Sequence, residues 1–465
     1  MQALRAIAPV TAPSRRRLGA LHHRGYRRFL AAQSIGSVGT WMQGVAQAWL
    51  ALELTHSALP VGLVVTAQNL PVLIGGPFGG LVADRFSKRR VLVLTQALFA
   101  VPAIGLFALA VTRSVSYPTV VAAAALWGCV QVIDLPSRQA VAIDLVGRND
   151  LLQAIACNAS AWHVASVIGP SLAGAVIGVA GPGPCLLCTA ACYLAAIGFL
   201  LRMEGPHPQA RPPRPLLHGV AEAVSCVRHD RVLGSLLGLV AVFSLFAMNR
   251  LTLVPLFADQ VLRVGAPGFG FLMATSGLGA LGAGIALALR ARPLAGSVHF
   301  WIGVIWALAL IGFSASRQLW LSALLLAVIG VGQEWFMAAA LTRIQMDAPD
   351  HLRGRVLAFY GQALTGVAPI GAAQSGLLAS FVGPALAMAT GAIVAGSAAL
   401  FVRLVIPAVF APAPAQRPGM ARPALRARPP ASAAPPGRDA ATWASPPPTQ
   451  CPTHTTGRRP LRPGR

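Results

Sequence analysis

Twelve apolar runs, each long enough to cross a bilayer, constrain this chain more than any other feature. A helix rising 1.5 Å per residue needs roughly 20 apolar residues to span the hydrocarbon core. Such runs fall at about 29–54, 57–83, 91–112, 118–137, 153–178, 184–203, 233–257, 268–290, 297–316, 319–341, 357–381 and 385–406. Only 11% of residues are charged, against about a quarter in soluble domains, so the chain reads as an all-α integral membrane protein. Arg24, Arg27 and Arg28 precede a first run, Phe29 to Leu54, that exceeds a signal-peptide core. It is therefore expected to stay as the first membrane helix.

The net charge of +24 would suggest nucleic-acid binding in a soluble protein, but topology accounts for it here. Basic residues collect in alternate loops: Arg85, Lys88, Arg89 and Arg90; Arg138 and Arg148; Arg211, Arg214, Arg228 and Arg231; Arg290 and Arg292; Arg343, Arg353 and Arg355. The opposite loops hold only Arg113, Arg263 and Arg317. The positive-inside rule then predicts both termini in the cytoplasm, no nucleic-acid partner and a plasma-membrane protein, the inner membrane in a bacterium.

The richest stretch between two runs is Gly80-Leu-Val-Ala-Asp84-Arg85-Phe-Ser-Lys88-Arg89-Arg90. Glycine lets two helices approach, Asp84 can cap a helix or pair with an arginine, and the trailing bases hold the loop inside. The spacing G-x-x-x-D-R-x-(G/S)-(K/R)-R-R resembles the signature loop of the major facilitator superfamily of secondary transporters. Residues 25–406 carry further likeness. Thr40-Trp41-Met42-Gln43, Leu54-Thr55-His56-Ser57-Ala58, Pro136-Ser137-Arg138-Gln139-Ala140, Gly169-Pro170 and Arg353-Gly354-Arg355 resemble the branch of enterobactin exporters and macrolide efflux proteins. The resemblance implies two six-helix bundles, alternating access and proton-driven export of a small, often amphipathic molecule. It implies no cofactor.

An internal repeat agrees with two bundles. Gly284 lies 204 residues after Gly80, Arg343 lies 205 after Arg138, and Gly371 lies 202 after Gly169. One nearly constant offset predicts two halves in parallel orientation. The expected divisions are a basic N-terminus at 1–28, bundles at 29–203 and 233–406, a proline-rich linker at 204–232 that ends in a surface helix, and a disordered Pro/Arg-rich tail at 407–465.

Charges inside spans cost about 2.5–3.5 kcal/mol at a helix centre, so they face a cavity or a partner. Four stand out: Glu334 in helix 10, Arg250 in helix 7, Asp134 in helix 4 and His163 in helix 5. In the superfamily helices 1, 4, 7 and 10 line the central cavity. Glu334 reads either as the group that binds and releases the coupling proton or as a fixed partner of Arg250. Asp134 is a second proton-coupling candidate, or a structural cap near Pro136. His163 reads as a packing residue. Gln43 and Gln47 share one face of helix 1 and, with Gln68, Asn69 and Arg250, are candidates to line a substrate cavity. Trp41 and Trp49 read as anchors.

Gly169-Pro170-x-x-x-Gly174 resembles a helix-5 motif of drug/proton antiporters, with Ala173 where a second glycine often stands. Pro170 frees a backbone carbonyl and Gly174 permits close packing, so the helix can bend against a neighbour. The helix-4 arginine of many antiporters is absent, with Trp127, Cys129 and Gln131 in that region, a departure that bears on coupling and not on fold. Cys185, Cys188 and Cys192 share an apolar helix face and read as packing residues. Zinc-protease, nucleophile-elbow and phosphate-loop spacings are absent, so neither an enzyme nor an ATP-driven pump is expected. The remaining alternatives are an importer, or a sensor or scaffold on the same fold. The expected partners are a small-molecule substrate, protons and the lipid bilayer, with the protein monomeric.

Overall fold

The computed structural model of the chain describes residues 19–85, 87–147, 150–203, 220–290, 296–349 and 352–411, and for 77–85 and 220–223 the backbone alone. The first half comprises α1 (Arg24–Thr55), α2 (Ala58–Arg85), α3 (Lys88–Val111), α4 (Tyr117–Val146), α5 (Leu151–Ala180) and α6 (Pro182–Leu201). In the second half α7 is assembled from Arg231–Phe246, Arg250–Leu256 and a π-helical turn Phe257–Val261. After it come α8 (Gly265–Leu289), α9 (Gly296–Ala315) and α10 (Leu319–Asp347). Next, α11 runs through Arg353–Gly361, a second π-helical turn Gln362–Gly366 and the opening of the stretch Ala368–Val405. That stretch breaks at Gly383, φ 82° and ψ 163°, just before Pro384, and α12 is the part beyond the break.

Among the described residues, ten stretches are long and apolar enough to cross a membrane. One of them, Arg353–Val405, has 53 residues, about 80 Å of helix, and holds two crossings separated at Gly383. The other addition is α1, 32 residues long, whose mean hydropathy is lowered by Gln33, Gln43 and Gln47. Twelve crossings return the chain to the face on which it began, called here the terminal face. Two expected ends move most: α4 runs through Pro136 to Val146, beyond the expected 137, and α10 continues to Asp347, beyond the expected 341. Glu334 therefore sits near the middle of its helix.

Local chemistry explains the turns. Asp230 caps α7, its carboxylate accepting from the backbone N–H of Val232 at 2.9 Å and of Leu233 at 3.1 Å. Ser116 and Thr119 form a reciprocal capping box at the start of α4. Gly181, at φ 85°, adopts a backbone few other residues tolerate and turns α5 into α6. A short helix, Val220–His229, packs beside the start of α7 and α11.

The repeat is visible in space. A Cβ on Gly169 of α5 would meet Trp41 Cβ of α1 at 2.6 Å, and one on Gly371 of α11 would meet the Leu245 carbonyl of α7 at 2.7 Å. Leu245 lies 204 residues after Trp41, so the same helix pair is packed through the same small residue in both halves. Contact between the halves follows the same symmetry. It runs mainly through α5 on α8 and α2 on α11, with a smaller contact of α1 on α7. At the first crossing a Cβ on Gly174 would lie 2.8 Å from Gly270 Cα; at the second, one on Gly376 would lie 3.0 Å from Gly62 Cα. Both glycine pairs lie toward the face opposite the termini. Trp49 stacks on Phe269 there with ring centroids 6.2 Å apart, which adds an aromatic closure. No comparable contact joins α4 to α10 among the described residues. The two halves therefore meet tightly on the far side and loosely toward the terminal face.

Candidate functional site

Midway through the membrane-spanning layer one ion pair crosses from one half to the other. His163 Nε2 of α5 lies 3.4 Å from Glu334 Oε1 of α10, with side chains 14% and 31% exposed. His163 reaches this place because positions 163, 166, 170 and 174 recur at helical spacing and form the face of α5 against α8. Ser166 abuts Gly277, and the α8 residue Gly284 leaves room beside the His163 ring, where a Cβ would sit 3.6 Å away. Glu334 is steered from α10 by its neighbour Trp335, whose indole N–H donates to the Ala283 carbonyl of α8 at 2.9 Å.

Arg250 opens the second segment of α7, after a helical break at residues 247–249. The break is stabilised locally: Asn249 Nδ2 donates to the Leu245 carbonyl at 2.7 Å. The Arg250 guanidinium donates through Nη1 to Gln333 Oε1 of α10, and its Nε is buried without an acceptor. Among the described residues no carboxylate lies within ion-pair distance of it. Glu334 is within electrostatic reach of both Arg250 and the Tyr360 hydroxyl, which itself donates to the Met337 carbonyl at 3.1 Å. Glu334 thus lies against His163, and Arg250, one of the two readings the sequence left open for it, is not its ion-pair partner. A lone apolar-face histidine gives no hint of a partner; its place on the face shared with Pro170 and Gly174 was the available signal.

Asp134 occupies a different setting. It is 1% exposed, and its carboxylate accepts from Thr95 Oγ1 at 2.6 Å, from Gln96 Nε2 at 3.4 Å and from Arg138 of its own helix. Three donors from α3 and α4 hold it inside the first half, the geometry of a structural tie. The glutamines are also interior. Gln43 and Gln47 are 1% and 0% exposed; Gln43 accepts from the Tyr193 hydroxyl of α6, and Gln47 accepts from Gln68 of α2. Asn69 donates to its own helix at the Val65 carbonyl. Open space lies on another face of α1, in an apolar cavity of about 520 Å³ against α5 bordered by Leu30, Ser34, Val38, Ser160 and Val164. In this conformation the side-chain oxygens of Gln43 and Gln47 are taken up by neighbouring helices, while Asn69 stays part-exposed.

Of the signature stretch, the side chains of Gly80, Asp84 and Arg85 lie outside the described residues. Lys88 pairs with Asp144 at the end of α4, and Arg89 donates to the carbonyls of Leu200 and Leu201 at the end of α6; Arg90 is exposed. These two bases tie three helix ends of one half together. In the helix-5 motif, Gly169 makes the contact with α1 and Gly174 the crossing to α8. Cys185, fully buried, and Cys192 sit in the α6 packing face, with Cys192 against Gly39.

Known proteins resemble this chain in both sequence and shape. The chain is 29% identical to the enterobactin exporter EntS of Shigella flexneri over 379 residues, 78% of this chain and 87% of that protein. It is 23% identical to a staphyloferrin A transporter of Staphylococcus aureus over 337 residues, 71% of this chain and 83% of the relative. The fold matches a crystal structure of a POT family transporter in complex with 5-aminolevulinic acid, TM-score 0.68 at 10% identity, over 83% of this chain and 96% of that one. It also matches a bacterial homologue of the human lysosomal transporter Spinster in an inward-facing and unoccupied conformation, TM-score 0.64 at 13% identity, over 85% and 97%. The family described as transmembrane secretion effector matches residues 16–428. This chain belongs to that family of the major facilitator superfamily of membrane transporters.

Proposed function

We propose that this transporter exports a small amphipathic molecule of the siderophore or drug type in exchange for protons, by alternating access between bundles at 29–203 and 233–406. The observation that carries the reading is the mid-depth His163–Glu334 pair, an ionisable contact between the two bodies that must move. Export is supported by the likeness to an enterobactin exporter, and the basic loops favour cytoplasmic termini. With that assignment the far-side glycine crossings close the outer face, an inward-facing arrangement.

The chemistry follows from charge. Ionised Glu334 and protonated His163 attract across the gap and hold α10 against α5. A proton on Glu334 removes that attraction and leaves a neutral acid, cheaper to desolvate as the halves part. Because the carboxylate is part-exposed, the pair is worth only about 1–2 kcal/mol, suited to a contact that opens each cycle.

The test uses everted membrane vesicles with an acid lumen and a fluorescent amphipathic dye. The wild-type protein should accumulate dye until a protonophore is added. Glu334→Gln should lose at least tenfold of gradient-driven uptake while still exchanging dye down its own gradient, and His163→Gln should reduce the drive less. Unchanged pH-driven uptake by correctly inserted Glu334→Gln protein would rule out the coupling role.

A further inference from the structure

We propose that Arg250 and Gln333 form an anion-binding subsite that takes a carboxylate of the exported molecule. The inference rests on the transport reading above and names the chemistry of the cargo. A guanidinium offers five donors in a planar fork. Arg250 has one of them engaged by the neutral Gln333 carbonyl oxygen, and its Nε is buried with no acceptor. A cation at this depth is costly unless a partner anion is supplied.

Six of the described acids are engaged elsewhere. Asp134 is held by Arg138, Asp144 by Lys88, Asp347 by Arg343 at 2.6 Å, and Glu334 by His163. Glu53 accepts from the Trp49 indole at 2.5 Å toward the far face, and Asp230 caps α7. Glu334 lies within electrostatic reach of Arg250 but beyond ion-pair distance, so it steadies the guanidinium without filling its fork.

The helix break adds a geometric reason. With residues 247–249 out of helical register, Arg250 projects from an interrupted helix at the layer's interior, where transporters of discontinuous-helix type hold their cargo. Gln333 and Glu334 are adjacent on α10, so an anion bound at Arg250 arrives beside the His163–Glu334 pair. A carboxylate presents two charged oxygens to the fork, which a neutral ester cannot match.

The probes are 1-pyrenebutyrate and its methyl ester, one aromatic body with and without the charge. Binding to full-length protein purified in detergent is read by quenching of tryptophan fluorescence, with no gradient imposed. The wild-type protein should bind the acid at least tenfold more tightly than the ester. Arg250→Gln should erase that preference while retaining ester affinity, and Arg250→Lys should keep part of it, because a point charge lacks the fork. Equal binding of acid and ester by the wild-type protein, binding of neither, or a preference that survives Arg250→Gln overturns the proposal. Unchanged pH-driven uptake by Glu334→Gln protein in vesicles, with the acid preference of the wild-type protein intact, would instead count against the coupling role alone.

Discussion

The two halves share a fold but handle their polar groups in opposite ways. In the first half the helices run unbroken through Pro102, Pro136 and Pro170, and the buried charge of Asp134 receives three hydrogen bonds from its own half. In the second half α7 is interrupted at 247–249, α7 and α11 carry π-helical turns, and the buried charge of Arg250 has an orphan Nε. The first half also holds orphan atoms, at Gln33 Oε1, Trp41 Nε1, Gln43 Nε2, Gln47 Nε2 and Gln96 Oε1, but these are neutral groups whose burial costs less than that of a charge. π-Helical turns and broken helices recur at functional sites, where backbone regularity is given up for a binding surface. On the reading proposed above, the first half supplies one histidine to the seam and the second half supplies Glu334, Arg250 and Gln333.

The sharpest way to break this contrast is at the seam. Gly270→Val would force a side chain against the Pro170 carbonyl and against Gly174 Cα, 2.7 Å from the position of its Cβ. Overpacking there costs about 1–3 kcal/mol in the closed arrangement alone, and transport should be lost. Gly198→Ala, where a Cβ meets nothing within 4 Å, should transport normally. Vesicle uptake for both variants checks this, and active Gly270→Val protein would show that the halves do not work through the crossing.

A smaller effect is expected at Asp134. Asp134→Asn leaves Arg138 without its buried partner and should lower stability by about 1–3 kcal/mol, read as thermal unfolding in detergent. The pH dependence of uptake should stay where it is in wild type. A shifted pH profile would move Asp134 from tie to coupling group and dissolve the difference between the halves.

The smallest effect belongs to the amide pair. Gln68→Leu removes the donor to Gln47 and should cost about 1 kcal/mol of stability, with transport within twofold of wild type. A tenfold loss of transport at unchanged stability would return the glutamines to the substrate path.

Sequence alone determined the class of this protein. Apolar run length is dictated by bilayer thickness, and the placement of bases by insertion, so twelve crossings and the two halves are written locally along the chain. The helix-5 motif was legible as a close-packing device for the same reason: glycine and proline act on their own backbone. Partnerships were not legible. Arg250 and Glu334 are 84 residues apart and Glu334 and His163 are 171 apart, and periodicity gives each side chain a face without saying which helix meets it. The choice of His163 over Arg250, and the turning of Gln43 and Gln47 toward α6 and α2, were decided by how glycine-bearing helices cross. Those crossings depend on packing shape summed over both halves, which no single stretch of sequence contains.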